Sequence, residues 1–437
     1  MKNKILSKFD YVLILCVTIL VSVGILFIYS SSVNSDGFSV TNEYIKQIVW
    51  AVIGFVIMIA LTLYDYRRLS SLSFYFFAAL ILLLIYTRIF GRYVNGAKSW
   101  IGIGEFGIQP SEFGKVFYIL FLARYLDESK NEQPLKRFIY AAGILFIPMG
   151  LILIQPDLGT ASVYLPVFII MCFIAGIPVV YILYALLLMC FTIMFAVLPV
   201  WNAEIAQTPV ALISVLTNFK LRAILTVAVL VIMFGGVVIR RYLHGPKYIN
   251  WITFFSSIIS ASLIFSVILG KVLKDYQIKR LIIFMNPEKD RLGAGWNIIQ
   301  SMTAIGSGGL YGQGYLNGTQ SHFRFLPQQS TDFIFSILSE ETGFTGGLLV
   351  FLIYIIILIK ILRLVRVCPN DFGSYICAGI FGMFVFHFFI NVGMVMGMMP
   401  ITGIPLIFLS YGGSSLLTAM TCCGLIMSIN CRKNDLK

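Results

Sequence analysis

Residues 11–30 read YVLILCVTILVSVGILFIYS and carry no charge. About 20 apolar residues in a helix cross the hydrocarbon core of a bilayer, so this run reads as a membrane span. Lys2, Lys4 and Lys8 precede it, as they would in a secretory signal. The run is too long for that, and no small-x-small cleavage site follows it cleanly, so an uncleaved first helix is expected. With this first span near 10–31, runs of the same kind fall near 46–64, 71–90, 111–126, 138–154, 159–176, 178–199, 220–240, 250–271, 331–361, 374–396 and 403–430. The expected fold is an all-α polytopic integral membrane protein of about twelve transmembrane helices.

Composition points the same way. Of 437 residues, 59% are hydrophobic and only 12% charged, where soluble domains average about 25% charged. So few charges cannot cover a soluble fold of this size. The net charge of +13 invites a nucleic-acid partner. However, the basic residues form no single patch and lie in short clusters between apolar runs, so no nucleic acid is expected. The eight cysteines show no C-x-x-C spacing. Cys16, Cys172, Cys190, Cys377, Cys422 and Cys423 lie in apolar runs; Cys368 and Cys431 lie in or beside basic segments placed in the cytoplasm. They read as small buried hydrophobes, with no disulfide.

Charge also sets orientation. With the N-terminus inside, the inner turns hold Arg67 and Arg68; Lys130, Lys136 and Arg137; Arg240, Arg241 and Lys247; Arg363 and Arg366; and the tail Arg432, Lys433 and Lys437. The outer turns around 32–45, 155–158, 200–218 and 397–402 hold almost no Lys or Arg. Both termini are therefore expected in the cytoplasm. The exception is the segment 271–330, which is basic yet falls outside; long loops escape the charge rule and tend to be functional.

Several polar clusters stand out. Asn95-Gly96-Ala97-Lys98-Ser99-Trp100 precedes Gln109-Pro110-Ser111-Glu112-Phe113-Gly114-Lys115. Glu112 and Lys115 share a helix face one turn into the membrane, where charge is costly unless paired or facing a wet cavity. They read either as a self-satisfied ion pair or as a cavity wall whose Lys115 meets an anionic substrate. Trp100 is either an interfacial anchor or part of that wall. Gln155-Pro156-Asp157-Leu158-Gly159-Thr160 lies at an outer boundary, with Asp157 placed to cap the next helix. In the long loop, Asp290 is a carboxylate between Lys289 and Arg291, followed by Gln300, Ser301 and the glycines 306, 308, 309, 312, 314 and 318. So many glycines imply tight turns or close approach of a ligand. Asp332 is placed to cap a helix, and Glu340 and Glu341 lie within an apolar run. Ser410-Tyr411-Gly412-Gly413-Ser414-Ser415 suits either an irregular, cavity-lining helix start or close helix packing. His244, His322 and His387 are scattered and form no triad with carboxylates, so no zinc site is expected.

The segments NGAKSW, QPSEFGK, QPDLGT, DRLGAGW, IGSGGLYGQGYLNGTQS, STDFIF and FLSYGGSS resemble, in this order, the motifs of the SEDS family. The likeness covers nearly the whole chain. GYLNGTQS and MMPITGIPLIFLSYGGSS are similar to the RodA branch rather than the FtsW branch. The resemblance implies a peptidoglycan glycosyltransferase that polymerises lipid II during elongation and rod-shape maintenance. It implies a class B penicillin-binding protein transpeptidase as partner, with other elongation-complex membrane proteins nearby and an undecaprenyl-diphosphate-linked glycan as donor.

The family's loop aspartate falls on Asp290, its membrane pair on Glu112 and Lys115, its tryptophan on Trp100 and its QPDLGT aspartate on Asp157. Asp290 is thus the expected catalytic residue. Lys115, Glu112, Trp100, Asp157, Lys98, Gln300 and Ser301 are the expected substrate-binding residues. A divalent cation such as Mg2+ or Mn2+ is a candidate cofactor, with no readable ligand set and no organic cofactor. The first acidic position of the family's loop pattern is Asn286 here, and Arg291, Gln328 and Ser330 also depart from it. The family's usual ten spans imply an added helix pair here, near 178–240, within a single membrane domain over 1–437. The loop 271–330 is then extracytoplasmic and catalytic, in the bacterial cytoplasmic membrane. A lipid II flippase, or a scaffold activating its penicillin-binding partner, is the alternative.

Overall fold

Twelve helices of 17 residues or more stand among the described residues, one for each expected span. The computed structural model describes residues 9–34, 37–94, 97–103, 106–204, 210–244, 246–272, 280, 283–284, 293–323 and 325–434. Asp290, Arg291 and Asn286 lie outside them. Ten of the twelve helices are long and apolar enough to cross a membrane. Pro110–Glu128 carries too many charges, and Leu158–Ile174 is shorter.

The chain divides into two compact units, Pro178–Met285 and the remainder. The larger unit begins with α1 (Tyr11–Ser32), α2 (Glu43–Leu63) and α3 (Arg68–Phe90). Three short strands follow: β1 (Arg92–Val94), β2 (Ala97–Ile103) and β3 (Phe106–Ile108), antiparallel in the order β1-β2-β3. This sheet departs from the all-helical expectation. Next come α4 (Pro110–Glu128), α5 (Pro134–Ile154) and α6 (Leu158–Ile174). The smaller unit holds α7 (Val179–Glu204), α8 (Ala211–Thr217), α9 (Phe219–Tyr242) and α10 (Ile249–Val272). The stretch 178–240 assigned to the added pair falls on α7 and α9. Within this unit α10 packs against both of them, and Arg222 of α9 donates to Leu263 O and Ser266 Oγ of α10. The larger unit resumes with α11 (Ala294–Ser307), α12 (Thr319–His322), α13 (Ile334–Val367), α14 (Asp371–Val395) and α15 (Gly413–Arg432).

Local chemistry explains the helix ends. Asp10 caps α1 by accepting from Leu13 N, and Asp157 caps α6 by accepting from Thr160 N; Pro110 and Pro134 occupy first-turn positions, where no N–H is needed. At opposite ends, two arginines close the last carbonyls. Arg137 donates to Leu126 O near the end of α4 and to Ala175 O just past α6. Arg432 donates to Thr62 O and Leu63 O at the end of α2. A cation at a helix C-terminus satisfies orphan carbonyls and complements the helix dipole.

Two segments of the larger unit are irregular. The last span was expected from 403, but α15 starts at Gly413, and residues 401–412 are not helical. Gly403 has φ +70 and Pro405 lacks an N–H, so neither favours a helix there. Non-helical backbone at membrane depth persists only where protein groups satisfy it. Here Asn391 donates to Ile404 O, His387 contacts Pro405 O and Tyr354 donates to Ile407 O. Gln47 donates to Ser410 O and accepts from Gly412 N.

The other irregularity is inside α13, where Gly343 (φ +67) breaks the helix. The freed groups pair with the glycine-rich segment: Gln313 N donates to Glu340 O, Gly314 N to Glu341 O, Phe344 N to Gly309 O and Thr345 N to Leu310 O. A Cβ at Gly308 would lie 2.0 Å from Ser339 O, and one at Gly312 2.1 Å from Glu341 O. These glycines admit another stretch of backbone.

Candidate active site

The first two turns of α4 carry the charged pair inward. Lys115 Nζ lies 2.7 Å from Glu112 Oε1, and both side chains are buried. The structure extends the pair: Lys115 Nζ is 3.2 Å from Nε2 of His387, a buried residue of α14. His387 Nδ1 is 3.0 Å from Pro405 O. An ammonium only donates, so Nε2 accepts, and the ring proton sits on Nδ1 and is donated to Pro405 O. Glu112 Oε2 and Ser111 Oγ are buried and have no hydrogen-bond partner among the described residues. Glu112 keeps acceptor capacity for something beyond Lys115.

Next to the pair, three sequence clusters meet. Asp157 Oδ2 accepts from Gln109 Nε2 at 2.6 Å and from Thr160 Oγ1 at 2.8 Å. Its Oδ1 accepts from Thr160 N at 3.0 Å. Gln109 N donates to Ser414 Oγ at 3.1 Å. This ties the start of α4 to the starts of α6 and α15. Gly159 lets α6 approach the 401–412 segment, because a Cβ there would sit 2.4 Å from Thr402 O. Asp157 is therefore both a helix cap and a partner of Gln109 beside the ion pair.

The other expected binding residues are placed differently. Trp100 lies half-buried on β2, and its indole leaves no room for a Cβ at Gly107, which would be 2.9 Å from Cε3. Lys98 donates to Ile89 O at 2.7 Å, in the last turn of α3. Ser301 on α11 is fully buried; its hydroxyl donates to Val395 O at 2.7 Å and lies 2.6 Å from Ser336 Oγ. Gln300 is half-buried on the same helix. Glu340 accepts from Thr319 Oγ1, Gln320 N and Ser321 N, capping the short α12. Glu341 accepts from Ser30 Oγ and Leu316 N. Both carboxylates hold the 308–322 segment in place. Asp290 lies outside the described residues.

Sequence reasoning missed His387. The available signal was its spacing to Asn391: two polar residues at i and i+4 in an apolar span share one face, and both aim at the 401–412 segment. Among the described residues no three His, Cys, Asp or Glu side chains come together as metal ligands.

A polytopic membrane protein with a buried Glu–Lys–His chain beside the start of one helix is what the fold and site define. The FtsW/RodA/SpoVE family, described as cell cycle proteins, matches residues 10–219 and 205–435, and the chain belongs to it. It is an integral membrane protein. The peptidoglycan glycosyltransferase RodA of Treponema pallidum (strain Nichols) is 54% identical over 99% of this chain and 100% of its own length. The stage V sporulation protein E of Bacillus subtilis (strain 168) is 33% identical over 96% of each chain. The peptidoglycan glycosyltransferase MrdB of Escherichia coli (strain K12) is 30% identical over 90% of this chain and 86% of its own. Two solved structures share the fold over 98% of each chain: a chain from a peptidoglycan synthase complex that coordinates polymerization and crosslinking (23% identity, TM-score 0.68), and the rod shape determining protein RodA of Thermus thermophilus (22%, TM-score 0.60).

Proposed function

We infer that the chain is a peptidoglycan glycosyltransferase that polymerises lipid II into glycan strands during cell elongation. The observation that carries this is its 54% identity to a RodA of that activity, running the full length of both chains. The buried, substrate-ready cation Lys115 agrees with it.

In the reaction, the 4-hydroxyl oxygen of the GlcNAc of lipid II bonds to C1 of the sugar at the reducing end of the growing glycan. The C1–O bond to undecaprenyl diphosphate breaks, the diphosphate leaves with the electron pair, and the hydroxyl proton goes to a base. Asp290 is the proposed base. Positioned proton transfer of this kind contributes about 10²–10⁴-fold. Negative charge develops on the departing diphosphate, and Lys115 is the proposed cation that stabilises it; a fixed donor in a dry site stabilises such charge without reorganising. Asp157, Trp100, Lys98 and Gln300 are the proposed binding or positioning residues of this region, and Ser301, whose hydroxyl is engaged by Val395 O and Ser336 Oγ, is a packing residue. The site faces the extracytoplasmic side and both termini face the cytoplasm of a bacterial inner membrane, supported by the basic inner turns. The partner is a class B penicillin-binding protein, in keeping with the synthase complex whose chain shares this fold.

The test uses purified chain with its cognate penicillin-binding protein, transpeptidase inactivated, and labelled lipid II. A glycan ladder from wild type and none from folded Asp290→Asn is expected. An active, folded Asp290→Asn enzyme overturns the assignment of the base. No ladder from either complex favours a flippase or scaffold. Adding a chelator to the same reaction tests the Mg2+ or Mn2+ requirement.

A further inference from the structure

Lys115 has three N–H donors and, among the described residues, two acceptors: Glu112 Oε1 at 2.7 Å and His387 Nε2 at 3.2 Å. The geometry at an ammonium nitrogen is tetrahedral, so two fixed acceptors determine where the third N–H points. With Glu112 as the single contact, the flexible stem of the lysine could still pivot and carry the other two N–H groups with it. The second acceptor is neutral. A carboxylate in its place would cancel the cation, whereas an imidazole directs it and leaves its charge available.

His387 is itself held. Its Nδ1–H is engaged by Pro405 O, and the 401–412 segment carrying that carbonyl is clamped by Asn391 on Ile404 O and by Gln47 on Ser410 O. The ring is 1% exposed. Its orientation is therefore fixed from one side and used on the other.

We propose that His387 is a positioning residue that aims the third N–H of Lys115 at the diphosphate of the lipid-linked substrate. The inference rests on the polymerase reading of the Lys115 site. It assigns the irregular 401–412 backbone a share in catalysis, because that backbone sets the imidazole tautomer.

Two substitutions separate the two ring nitrogens. In His387→Gln the side-chain oxygen reaches the place of Nε2 and still accepts from Lys115. In His387→Asn the amide reaches only the place of Nδ1, keeping the Pro405 contact and losing Lys115. The experiment measures ladder formation against lipid II concentration for wild type, both variants and Lys115→Met. Gel filtration selects the folded fraction of each. His387→Gln is expected to keep kcat within about threefold of wild type, and His387→Asn to lose about tenfold or more in kcat with little change in KM. Binding of undecaprenyl diphosphate to the folded fraction gives a readout without turnover, and weakens in His387→Asn but not in His387→Gln.

The reverse order of activities makes His387 an anchor for Pro405 and overturns the proposal. So does equal loss in both variants, since a retained acceptor then fails to rescue. Full activity of both beside an inactive Lys115→Met overturns this inference and leaves the polymerase reading standing. A Lys115→Met enzyme as active as wild type removes Lys115 from the reaction and takes both down.

Discussion

Replacing Lys115 by Met keeps the volume of the side chain and deletes its charge. Glu112 is 5% exposed, so the carboxylate left behind has little access to water. At 2.7 Å and an effective dielectric of about 20, the lost attraction is about 6 kcal/mol before the cost of desolvating the lysine is returned. Breaking a buried pair by removing one partner costs about 3–5 kcal/mol, or about two to nearly four powers of ten in the unfolding constant. The second carboxylate oxygen, already without a partner among the described residues, offers no compensation. Removing both charges in Glu112→Gln/Lys115→Met recovers most of that loss, because no lone ion remains. The assay is unfolding of the helical signal in mixed SDS micelles, with glycan ladders read in parallel. The double variant regains stability and stays inactive, since the cation proposed to meet the diphosphate is absent. A Lys115→Met protein as stable as wild type refutes the argument, and so does a double variant less stable than either single one.

Three further outcomes follow from the packing. Gly312→Ala meets Glu341 O at φ +79, whereas Gly309→Ala faces open space at φ +54; the second costs about 1–2 kcal/mol for its left-handed backbone and the first about 1–3 kcal/mol more, read by thermal unfolding. Ser301→Ala strands the Ser336 hydroxyl and Val395 carbonyl and costs about 1–3 kcal/mol in stability, while KM for lipid II stays within about twofold. Arg432→Lys cannot span Thr62 O and Leu63 O with one planar fork and costs about 1.5–3 kcal/mol by the same unfolding assay.

The spans were legible because length and apolarity alone define them, and all twelve helices lie within a few residues of expectation except the start of α15. There, apolar composition hid a segment whose carbonyls are satisfied by side chains from three different helices. The sheet at 92–108 was missed because β1 and β3 have three residues each, too short to show a period. The Glu112–Lys115 pair was legible from its spacing, but the third member, His387, is 272 positions from Lys115. The glycines of 306–318 left turn and ligand approach equally open, since only tertiary contact shows that the approaching group is the broken turn at Gly343. Lys98 sits inside a motif segment and Ser301 between two of them, yet their polar atoms are engaged with Ile89 and with Ser336 and Val395.

The arginines at the inner turns have a consequence for how the chain enters the membrane. Arg137 and Arg432 belong to the basic clusters whose charge argues for a cytoplasmic side, and the same guanidiniums close the ends of α2, α4 and α6. Topology is decided while the helices are inserted singly, before they pack; the caps form only afterwards. Removing either guanidinium therefore acts twice, first on the charge asymmetry that orients the chain and then on the helix termini it closes.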